Sequence, residues 1–73
     1  MAKIEKPLDE KKVLDHLHKS FSQIFFTVRR IERHHRHAGD LIRMECYCQI
    51  AYDLNNIIVT VGRLRKLPEA AHA

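Results

Sequence analysis

The residues of this chain that could ligate, recognise or react are mostly histidines, cysteines and arginines, and they crowd its middle. His34 and His37 stand three residues apart, so on a helix they share a face. Cys46, with Glu45 and Cys48 close by, would lie at a similar level on a second helix folded back against the first. Zinc needs three or four converging donors of this kind. His34, His37 and Cys46 are therefore the candidate ligands, but they fall short of a full set, and no metal or other cofactor is expected. Glu32 and His35 carry the Glu-x-x-His spacing of di-iron helical bundles. The expected helices hold no second copy of that motif, and Glu45, at the matching level, is expected to point outward.

The arginines make a stronger pattern. Arg29, Arg33 and Arg36 recur at helical spacing on one outward face, with Arg30 and His37 beside them. Arg43 joins from the start of the following segment. Between positions 29 and 43 five arginines stand against Glu32 and Asp40. Guanidinium forks match the geometry of carboxylates and phosphates. The expected binding surface is thus Arg29, Arg30, Arg33, Arg36, His37 and Arg43, facing an acidic protein or a nucleic-acid backbone. Glu32 reads as a solvated residue partly paired with Arg36 four positions on. No aromatic residue is interleaved with the arginines, so there is no platform for stacking single-stranded bases. A helix-turn-helix, with its short helices, is not suggested either.

Catalysis has little to build on. Ser20 and Ser22 fall inside a helical pattern, and neither a glycine-rich phosphate loop nor a nucleophile elbow is present. The expectation is a protein that is not an enzyme.

A stripe of this length needs long helices to carry it, and the composition allows them. The chain has 73 residues, room for a single domain, with 45% hydrophobic residues and only two glycines and two prolines. Its formal charge of +4 suits acidic partners. No apolar run approaches the roughly 18–20 residues of a membrane span. Met1–Lys6 is charged and is not followed by a signal-peptide core. Cys46 and Cys48, about 200° apart on a helix, cannot readily bridge each other. Free thiols and the absence of a leader point to the cytoplasm.

The elements follow from the apolar spacing. Leu14, Leu17, Phe21, Ile24, Val28 and Ile31 step 3-4-3-4-3, a seam of coiled-coil type. Pro7 suits a first helical position, with Asp9 and Glu10 in the first turn. Gly39 can end the helix in the left-handed conformation, and Asp40 can cap the next one. Tyr47, Ile50, Leu54, Ile57, Val61 and Leu64 make a second seam, widened by Met44, Ala51 and Ile58, until Pro68 stops it. Stretches 23–28 and 57–61 are rich in β-branched and aromatic residues, but the helical period runs well beyond both.

The expected fold is all-α: an antiparallel helical hairpin with helix 1 over about 7–38, a turn at 39–40 and helix 2 over about 41–67. Residues 1–6 and 68–73 are expected to be loose. Pairing across the turn places Val28 near Ala51 and Phe21 near Ile58. Phe25 and Ile58 flank the seams, whereas Phe26, Tyr52 and Val59 face away from the sister helix. These five residues are the expected apolar interface, through which the hairpin would form a homodimeric four-helix bundle. The expected function is that of a small interaction or regulatory protein binding another macromolecule. A nucleic-acid-binding dimer and a His/Cys metal protein are the alternatives.

Overall fold

A computed structural model describes residues 8–68 of the chain. The loose ends expected over 1–6 and 68–73, apart from Pro68, lie outside the described residues, as does Pro7. Two helices, α1 over Glu10–Ala38 and α2 over Leu41–Lys66, fold back on each other as an antiparallel hairpin. The described residues contain no strand, and both β-rich stretches are helical throughout.

Each helix end has a local cause. α1 starts later than the expected Pro7 because Asp9 stands outside it as the N-cap. Its carboxylate accepts the backbone N–H of Lys12 at 3.2 Å, occupying a donor that would otherwise lack a partner. At the other end Gly39 takes φ 77°, the left-handed region. The N–H of Gly39 donates to the Arg36 carbonyl at 3.2 Å and that of Asp40 to the His35 carbonyl at 3.0 Å. This pair of bonds is the Schellman closure. Asp40 then caps α2 by accepting the N–H of Arg43 at 3.1 Å. Two residues thus end one helix and start the next. α2 stops at Lys66, one residue short of expectation. Leu67 is extended (φ −68°, ψ 144°), as a residue before proline prefers.

The hairpin core is thin. Leu14, Val28, Ala51 and Val61 are its buried apolar residues, joined by Glu32. Around them Leu17, Phe21, Phe25, Ile31, Met44, Tyr47, Leu54 and Ile58 are half-buried. The line of contact on α1 therefore runs Leu14, His18, Phe21, Phe25, Val28, Glu32, His35, stepping 4-3-4-3-4-3. On α2 it runs Met44, Tyr47, Ala51, Leu54, Ile58, Val61.

This differs from the expected seams in a systematic way. Ile24 on α1 and Ile50, Ile57 and Leu64 on α2 remain 41–48% exposed. α2 carries two overlapping apolar stripes, and the residues expected to widen its seam prove to be central. The small side chain of Ala51, only 3% exposed, lets the helix axes approach along the stripe that contains it. No described helix is long and apolar enough to cross a membrane.

The two glycines separate backbone from packing effects. A Cβ at either would meet nothing within 4 Å. Gly39→Ala should nevertheless lower stability by about 1–2 kcal/mol, the cost of holding an L-residue in the left-handed region. Gly62→Ala, inside α2, should raise it by up to about 1 kcal/mol through helix propensity alone. Urea unfolding of both variants checks the opposite signs.

Candidate macromolecule-binding site

Glu32 organises the basic segment. It follows Val28 by four residues and precedes His35 by three, so the contact line of α1 passes through it. Its residue exposure is 2%, the lowest among the buried residues of the hairpin. The expectation of a solvated carboxylate is therefore wrong. A buried carboxylate requires partners, and two arginines of its own helix supply them. Arg29 Nη1 donates to Oε1 at 2.5 Å and Arg36 Nη2 donates to Oε2 at 2.6 Å. The pairing expected with Arg36 alone is thus a clamp with one arginine from the turn below and one from the turn above.

The two guanidiniums are not themselves buried. Arg29 keeps 44% and Arg36 58% of its side-chain surface. Arg36 also reaches across to α2, with Nη2 4.0 Å from Met44 Sδ. Each guanidinium has five N–H donors, so the bonds to Glu32 fix its direction and leave donors facing water. The triad carries a net positive charge.

The other expected binding residues are placed as follows. Arg30, Arg33 and His37 are exposed and form no ion pair with the described residues. Arg43 turns back on Asp40, Nη1 to Oδ2 at 2.6 Å. Those contacts from the backbone N–H and guanidinium of Arg43 hold the Asp40 carboxyl below the usual carboxylate range. Arg43 therefore serves the turn. The arginine surface consists of Arg29, Arg33 and Arg36, with Arg30 and His37 further round the helix.

Aromatic rings sit just turnward of the clamp. His35 stacks on Tyr47 of α2 with ring centroids 5.4 Å apart and planes 14° from parallel. His34 meets His35 edge-on at 5.3 Å. The imidazoles at 34 and 35 are thus in contact with each other, while His37 and Cys46 stand exposed. Among the described residues no three His, Cys, Asp or Glu side chains converge as a metal would require. Glu32, the carboxylate of the Glu-x-x-His spacing, is committed to arginine. Cys46 and Cys48 are exposed free thiols.

Of the expected apolar interface, Phe25 and Ile58 are half-buried in the hairpin itself. Phe26, Tyr52 and Val59 are exposed at 67%, 63% and 46%. Phe26 lies edge-on to Phe25 with centroids 5.7 Å apart and points away from α2. Val59 lines a groove at the open end of the hairpin with Lys11, His18, Gly62 and Arg63. Beside that groove Arg65 bridges to Asp15 at 2.8 Å, a link between the helices that the sequence pattern did not reveal. Both partners are well exposed, so the bridge is worth at most about 1 kcal/mol.

No protein-family model, curated protein or solved structure matches the chain. The site is therefore read from its own geometry.

Removing the carboxylate tests the clamp. Glu32→Ala should cost about 1–3 kcal/mol, the range for a hydrogen bond to a charged group. Glu32→Met should cost less, since it refills the space and both arginines can turn to water. Urea unfolding ranks the two variants.

Proposed function

We propose that this chain is a non-enzymatic binding protein that works as a homodimer and recognises an acidic macromolecular surface through the arginines of α1. The observation that carries this reading is the clamp. Glu32 holds Arg29 and Arg36 in fixed directions one turn to either side of it. Arg33 projects from the same stretch with no ion pair to the described residues. Free arginine side chains lose rotamer entropy when they bind. A buried carboxylate that fixes two of them in advance lowers that cost. Arginine in such a setting suits bidentate recognition of carboxylates.

The homodimer is supported by the apolar surface that the hairpin leaves uncovered. A core of four buried apolar residues is small for a chain of this length, and chains this short commonly gain stability from association. The exposed thiols of Cys46 and Cys48 fit a reducing compartment such as the cytoplasm.

A carboxylate-rich peptide and RNA, both duplex and single-stranded, are the probes. The proposal expects the peptide to bind and to remain bound near physiological salt. Arg29→Ser with Arg33→Ser should weaken binding on the order of tenfold, about 1.4 kcal/mol. RNA binding that collapses steeply with salt, without peptide binding, would move the function to nucleic acid. Absence of binding to any probe at low salt would overturn the reading.

A further inference from the structure

The hairpin has two unlike broad sides. One carries the clamp, with Arg29 and Arg36, and the groove formed by Lys11, His18, Val59 and Arg63. On the opposite side, the same helix geometry brings together Leu17, Ile24 and Ile31 of α1 with Ile50, Ile57 and Leu64 of α2. On each helix the three residues are seven apart, and seven residues return a side chain to within about 20° of its starting direction. Across the turn they fall level in pairs: Leu17 with Leu64, Ile24 with Ile57, and Ile31 with Ile50. Leu17 and Ile31 are half-buried, whereas the other four are 43–48% exposed, or 41% at Ile57.

We propose that this face docks a second copy of the chain, completing a four-helix bundle. The inference rests on the self-association proposed above and locates its surface. Three observations select a second copy as the occupant. First, the face matches itself: its rungs recur at the seven-residue interval of bundle seams, and its middle rung, Ile24 with Ile57, divides it evenly. A two-fold axis through that rung sets ladder against ladder whichever way the second hairpin runs.

Second, the six rungs of the face carry no charge. Its α1 side continues through Ser20, Thr27 and His34, and neither that line nor the rungs Leu17, Ile24 and Ile31 includes a Lys, Arg, Asp or Glu. Its α2 side carries Cys46, Asp53 and Thr60. Asp53, exposed on the outer flank of the ladder, accepts a hydrogen bond from Gln49 at 3.1 Å, and Arg43 is bound to Asp40 at the turn. Apart from Asp53 on the flank, a charged partner would have nothing here to pair with, whereas an identical ladder would meet the six rung residues with apolar side chains. Third, the size is sufficient. Twenty-six helical residues span about 39 Å, and two helices are about 20 Å wide. A copy laid along the face would cover on the order of 800 Å² per partner, the area of a stable interface. The arginine side of each hairpin would then face outward.

The test is charge at the middle rung. Sedimentation equilibrium of the wild type should give a dimer. One variant carries Ile24→Glu with Ile57→Glu, and a second carries Ile24→Lys with Ile57→Lys. Each alone should lose the dimer, and mixing the two should restore it. Restoration shows that the chains were lost to association and not to folding. A variant with Phe26→Glu and Tyr52→Glu should remain dimeric. A monomeric wild type would overturn both the inference and the self-association it rests on. A wild-type dimer that survives charge at the middle rung, or that fails to return on mixing, would overturn the inference alone and leave association through another surface.

Discussion

Two helices joined by a two-residue turn can shield only one stripe of each other, and that limit shapes the rest of this molecule. Gly39 and Asp40 set the register within about one residue, since the Schellman bonds and the Asp40 cap leave no slack in the connection. With register fixed, each residue of α1 has a level on α2. Apolar residues lying more than about a quarter-turn from the line of contact must remain in water or find cover elsewhere. Ile24, Ile50, Ile57 and Leu64 are in that position.

Glu32 results from the same geometry. The contact line of α1 needs a residue between Val28 and His35, and the chain places a carboxylate there. Burial would be costly for a lone charge, but Arg29 and Arg36 on adjacent turns meet both of its oxygens. Because their guanidiniums stay in contact with water, the cost of desolvating a full ion pair is avoided. One buried side chain thus joins packing to the proposed recognition: the carboxylate fills the seam and aims two cations.

The parts of this arrangement that could be read directly from the sequence are those governed by neighbouring residues. A glycine followed by aspartate marked the turn, Pro68 marked the end of α2, and a 3-4 apolar rhythm marked both helices. The register across the turn could also be read, and Val28 and Ala51, expected at one level, are both buried. The choice between overlapping stripes on α2 could not be read. Ile50 and Ala51 are adjacent, and hydrophobicity favours the isoleucine, whereas close approach of the helices favours the alanine. Glu32 was hidden for a related reason. A charged residue among arginines looks solvated until the contact line is rotated by a fraction of a turn, through Phe25 and away from Ile24. The Asp15–Arg65 bridge depends on where the helix ends meet and leaves no local trace.

The central physical claim is that the ladder centred on Ile24 and Ile57 is covered by a second chain and not by water. Isotope-filtered nuclear Overhauser measurements on a mixture of labelled and unlabelled chains address it at the atoms concerned. Cross-chain signals from the methyl groups of Ile24 and Ile57 to ladder residues of the partner are the expected result. Cross-chain signals confined to Phe26, Tyr52 or Val59, or none at millimolar concentration, would contradict it.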